Sequence, residues 1–211
     1  MSIPFRLLLP FFIPLSLICF GLPAQTFSWE KYNAPPGGGS LVYEGNPGNL
    51  FVMLDPDNLF RSTDNGLSWQ KTGDFSENSW AWPLTVGLDG NLYGRQNNTL
   101  LRSADNGDTW QPVGILDHEK LFVFPGGDML AGDLSFHIRR STDGGQTWET
   151  VFTAGGHIGG FAYNPVNGDV YAWRDYPAAG ENGRVWRSSD KGLTWTVLLD
   201  TFELDVHQIA V

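Results

Sequence analysis

The sequence predicts an all-β chain assembled from one repeated four-stranded antiparallel unit, and three observations carry that prediction. A nine-residue pattern recurs four times. A strand–turn–strand signal with glycine or asparagine in its turn precedes each copy. The composition is rich in Gly (26) and Trp (9), which suits short strands joined by tight turns.

The repeat is the strongest of the three. Its copies are Arg61-Ser-Thr-Asp-Asn-Gly-Leu-Ser-Trp69, Arg102-Ser-Ala-Asp-Asn-Gly-Asp-Thr-Trp110, Arg140-Ser-Thr-Asp-Gly-Gly-Gln-Thr-Trp148 and Arg187-Ser-Ser-Asp-Lys-Gly-Leu-Thr-Trp195. They align without gaps at a near-constant period, the signature of a stacked repeat architecture. A strand enters each copy and another leaves from its Trp, so the pattern itself is a turn. Asp64, Asp105, Asp143 and Asp190 accept hydrogen bonds from turn amides, as Asx turns do. Gly66, Gly107, Gly145 and Gly192 supply a backbone with positive φ. Ser62, Ser103, Ser141 and Ser188 complete the polar part of the motif. Trp69, Trp110, Trp148 and Trp195 bury apolar area between neighbouring units. Nothing in this reading needs a substrate.

Ahead of each copy lies an earlier hairpin. These run from Leu41-Val-Tyr to Leu50–Met53, from Thr85–Leu88 to Leu92-Tyr93, from Leu121–Phe124 to Met129-Leu130, and from Gly160–Tyr163 to Asp169–Ala172. With the strands labelled a to d along each unit, the repeated pattern is the c–d turn.

The four segments resemble the Asp box, or BNR repeat, of the sialidase-type superfamily. The resemblance covers the chain from about Ser28 to its end and implies a β-propeller of four-stranded antiparallel blades. Four Asp-box blades are visible, and Asp205–Val211 reads as the start of a fifth, so the chain is read as part of a larger ring, incomplete at its C-terminus. Phe27-Ser-Trp-Glu-Lys31 reads as a d strand that completes the last blade and closes the ring, which removes exposed edges. Residues 25–211 form this domain.

Residues 1–24 read as a signal peptide. Arg6 precedes an apolar stretch from Leu7 to Leu22, and Ala24 is a small residue ahead of Gln25. Pro10, Pro14 and the shortness of the run argue against a membrane anchor, so no integral membrane segment remains after cleavage. Cys19, the single cysteine, falls within this segment. The expected location is secreted, periplasmic or cell-surface. A net charge of −10 argues against nucleic acid as a partner, because a phosphate backbone rewards Lys and Arg.

Strand direction puts the boxes on one face and the b–c and d–a connections on the other, where a ligand is expected. Trp80 and Trp82 alternate on one strand and suit either core packing or a sugar platform. Asp117, His118 and Glu119 form an acidic connection with a titratable histidine. His157 lies near the start of an a strand. Arg174 and Asp175 open the longest insertion, 174–183. Arg95–Asn98 is expected to be a b–c loop, and Asn97-Asn98-Thr99 fits a glycosylation sequon.

Sialidases resembling this superfamily use an arginine triad for a substrate carboxylate, a Tyr nucleophile with a Glu base, and an Asp acid. The Arg-Ile-Pro motif of such enzymes is absent beyond residue 24. Arg61, Arg102, Arg140 and Arg187 belong to boxes, and Arg95, Arg139, Arg174 and Arg184 are not placed alike in their blades. The reading is therefore an exported non-catalytic propeller that binds a protein or glycan through its b–c and d–a face. No catalytic residue, metal or cofactor is assigned. The alternatives are a glycoside hydrolase with part of its active site elsewhere, and an assembly factor for a membrane protein complex.

Overall fold

The computed structural model describes residues 42–44, 49–54, 58–73, 85–116, 120–132, 135–174 and 183–201, all within the unit Tyr32–Val211. Four four-stranded antiparallel sheets follow one another along the chain. Blade one contains β1 (Val42–Glu44), β2 (Leu50–Leu54), β3 (Asn58–Ser62) and β4 (Gln70–Thr72). Blade two contains β5 (Thr85–Val86), β6 (Leu92–Gln96), β7 (Thr99–Ser103) and β8 (Gln111–Ile115). Blade three contains β9 (Lys120–Val123), β10 (Met129–Gly132), β11 (His137–Ser141) and β12 (Glu149–Thr153). Blade four contains β13 (Ile158–Tyr163), β14 (Val170–Arg174), β15 (Gly183–Ser188) and β16 (Thr196–Thr201).

Each sheet is a meander whose strands pair in chain order, and the register repeats with the sequence. Each box Ser ends its c strand opposite the first residue of the b strand: Leu50↔Ser62, Leu92↔Ser103, Met129↔Ser141 and Val170↔Ser188. Blades two to four carry the same irregularity in their c–d pairs, after Leu100, Ile138 and Val185. Such bulges increase local twist.

The core lies between blades. Phe51 and Leu59 of blade one pack with Leu92 and Leu101 of blade two. Tyr93, Leu100 and Leu116 of blade two pack with Leu121, Val123, Met129 and Ala131 of blade three. Phe124, Leu130 and Ile138 of blade three pack with Ile158, Val170, Ala172 and Trp186 of blade four. Side chains alternate across a strand, so one b strand feeds two cores. On β10, Met129 and Ala131 face blade two while Leu130 joins the core with blade four. All four β10 residues are consequently buried. Val113 and Val151 pack under the next blade. The matching Leu198 on β16 is 59% exposed.

Several expected boundaries shift. Arg95 and Gln96 are strand residues of β6, paired with Leu100 and Thr99. The connection is therefore the two-residue turn Asn97-Asn98, where Asn97 adopts a φ of 55° that Asn tolerates better than most residues. β13 begins at Ile158, ahead of the expected Gly160. The signal segment 1–24, the strand at 27–31, the fifth-blade strand at 205–211, and Trp80 and Trp82 lie outside the described residues. Among the described residues, no helix is long and apolar enough to cross a membrane.

Candidate functional site

The four boxes share one hydrogen-bond pattern. Each Ser is almost fully buried. Its hydroxyl accepts from the box Gly amide at 2.8 Å in every copy and donates to the Asp Oδ1. That oxygen also accepts from the amides of Ser68, Thr109, Thr147 and Thr194 at 2.9 Å. The hydroxyls of the same four residues donate to Oδ2. Each Trp Nε1 closes the turn by donating to the box Gly carbonyl at 3.0–3.2 Å.

This arrangement favours the charged carboxylate. The hydroxyl and amide of Ser68 hold Asp64 down at about 2, and Thr109 and Thr147 do the same for Asp105 and Asp143. For Asp190 burial pushes upward, but the Thr194 and Ser188 donors outweigh it and bring the carboxyl to about 2. A carboxylate with both oxygens occupied and so low a pKa is a poor general acid or base near neutral pH.

The boxes also dock the blades. A Cβ on Gly145, whose φ is 90°, would collide with Leu100 of the preceding blade. A Cβ on Gly192 would meet Leu130 Cδ2 at 2.6 Å, and one on Gly107 would meet Thr72 Cγ2 at 3.3 Å. The Gly145 carbonyl accepts from the Ile115 amide at 3.1 Å, and Trp148 Nε1 also donates to the Ile115 carbonyl at 2.8 Å. Gly114 leaves room for this approach, since a Cβ there would collide with the Gly145 carbonyl. Sequence reasoning found the positive φ of these box glycines and missed their contact with the neighbouring blade. Those contacts, with Leu59, Leu100 and Leu130, exist only once the blades have stacked.

Three box arginines are tied to acids. Arg61 Nη1 donates to the Asn106 carbonyl and lies 2.9 Å from Asp108 Oδ1, both in the next box. Arg140 reaches the Lys191 carbonyl and pairs with Asp128 at 2.7 Å. Arg187 pairs with Asp169 at 2.7 Å, which raises its pKa. Arg102 is exposed.

On the opposite face, Arg174 ends β14 and is buried. Its Nη2 donates to the Ala154 carbonyl at 3.1 Å, and its guanidinium lies 5.9 Å from the Trp186 ring centroid. Gly156 gives it room, because a Cβ there would meet Arg174 Cδ and Nε at 2.6 Å. This arginine braces the connection between blades three and four. His157 is half-buried in the link just before β13. Asp117, His118, Glu119 and Asp175 lie outside the described residues. Among the described residues, no three His, Cys, Asp or Glu side chains are grouped to hold a metal ion.

Sheets, registers and boxes together define an Asp-box β-propeller, and comparison with known proteins agrees. The family model described as BNR/Asp-box repeat matches residues 139–150, within the third blade. A xyloglucanase from Paenibacillus sp is 25% identical over 186 residues, covering 82% of this chain and 16% of that protein. The structure of YCF48 bound to D1 peptide superposes with a TM-score of 0.61 at 16% identity, covering 92% of this chain and 64% of that one. An ancestral GH74 enzyme superposes with a TM-score of 0.53 at 20% identity, covering 78% and 25%. The chain thus spans a small fraction of the GH74 and xyloglucanase relatives, and its likeness to the solved structures is one of fold.

Proposed function

We propose that the protein is an exported binding propeller that holds a protein or glycan on its b–c and d–a face without turning it over. The asymmetry of the two faces carries this reading. On the box face, every box carboxylate has both oxygens engaged by local donors. The longer connections, d–a between Thr72 and Thr85 and b–c between Arg174 and Gly183, are the ones that strand order assigns to the other face. Long connections on a rigid scaffold are where recognition residues collect. The YCF48 structure, bound to a peptide, supports binding as a use of such blades.

The test is a glycan array that includes xyloglucan oligosaccharides, run beside capture of peptides by the full chain, with calorimetry on the strongest ligand. Replacing residues 175–182 by a Gly-Ser segment is expected to weaken that ligand tenfold or more. Unchanged affinity in a folded variant counts against this face. A second reading, glycoside hydrolysis, is favoured by the Paenibacillus xyloglucanase likeness. It requires a carboxylate pair, to which Asp117 or Glu119 would contribute one member and a residue elsewhere the other.

A further inference from the structure

The box arginines follow a rule that one of them breaks. Two positions in the repeat offer an acid. One is the residue just ahead of the b strand, where Asp128 pairs with Arg140 and Asp169 with Arg187. The other is the seventh residue of the next box, where Asp108 pairs with Arg61. For Arg102 these positions hold Asn91 and Gln146. Both are amides, and among the described residues no hydrogen bond or ion pair engages the Arg102 guanidinium.

Arg102 also stands where the surface opens. It lines three hollows on the box face, two of them between blades two and three and one within blade two. The largest, about 400 Å³, sets Arg102 and Gln146 beside Pro112, Val113 and Met129. Gly126, Gly127 and Gly144 edge the hollows, and a Cβ added to any of them would meet nothing within 4 Å. The nearby acids are already engaged. Asp89 accepts from Tyr93 Oη at 2.6 Å and from the Asn91 amide and side chain, while Asp105 and Asp143 are held within their boxes.

We infer that this hollow is a second binding site, for a monocarboxylate carried on a small apolar group. The guanidinium fork matches a carboxylate bidentately. Gln146 Nε2 donates one N–H to the Asp143 carbonyl at 3.0 Å and has a second to offer, and Pro112 and Val113 supply an apolar wall backed by the buried Met129. A dianion such as phosphate is disfavoured, because one cation stands there among three carboxylates. The site lies on the face opposite the connections assigned to the main ligand, so the two stand or fall separately.

The test uses the full chain labelled with 13C at its methionine methyls. Met129 backs the wall, and Met53 serves as a control. Four probes are titrated: isovalerate, isovaleramide, N-acetyl-alanyl-leucine with a free C-terminus, and its C-terminal amide. Saturable movement of the Met129 signal by the acids and not the amides is expected. Arg102→Gln should weaken it tenfold or more. So should Gln146→Asp, which supplies the missing acid at the position of Asp108. Response to both acids, or to isovalerate alone, identifies a free-acid site, and response to the dipeptide acid alone identifies a peptide terminus; each supports the inference. Equal movement by acids and amides, no movement by any probe, or an unchanged acid titration in either folded variant overturns it.

Discussion

At the residue scale, the box turns local chemistry into a fixed geometry. Its Asp carboxylates sit at about 2 against an ordinary 3.8. A folded-state pKa below the unfolded one gives stability that is present above the unfolded value and lost as pH falls through the folded one. The melting temperature should therefore drop as pH falls from about 4 to 2, as read by calorimetry across that range. Asp143→Asn should show a shallower slope in the same window, and parallel slopes would contradict the assignment. Two adjacent glycines separate strain from crowding. Gly145→Ala meets Leu100 as well as a φ of 90° and should cost about 2 kcal/mol or more. Gly144→Ala has a φ of 74° with open space around it and should cost about 1 kcal/mol. Thermal or denaturant unfolding of the two variants checks the difference. The need for positive φ was legible from the Asp-x-Gly spacing. The crowding was not, because Leu100 is a neighbour only after the blades have stacked.

At the element scale, strands are legible where turn chemistry marks both ends. The a–b hairpins and box strands stood out for that reason. The Asn97-Asn98 turn is shorter than residue types suggest, because Arg95 and Gln96 look like loop residues yet belong to β6. Their pairing with Leu100 and Thr99 is decided by register, which single residue types do not show. Burial between blades predicts unequal costs for apolar residues in the b and d strands. Leu130→Ala removes a fully buried side chain from the core shared with blade four and should cost about 2–5 kcal/mol. Ile115→Ala, at a 62% exposed position, should stay within about 0.5 kcal/mol. Denaturant midpoints measured on both variants test this ordering, and equal losses would argue against inter-blade cores.

At the scale of the whole molecule, the two faces have different constraints. Box residues repeat because every blade must make the same turn and dock on its neighbour. Recognition residues need not repeat, so the period that revealed the fold carries no signal for them. Arg174 illustrates the difficulty: it opens a long insertion, yet packs against Ala154, Gly156 and Trp186 as a brace. Arg102 illustrates the converse, since only comparison with Arg61, Arg140 and Arg187 in register shows that its acids are missing. The most direct test of the central claim is turnover. The full chain is incubated with xyloglucan and a panel of fluorogenic glycosides, sialosides included, and release of reducing ends or fluorophore is followed. The account predicts binding without release. Turnover that disappears when Asp117 or Glu119 is substituted would contradict it and make the protein a glycosidase.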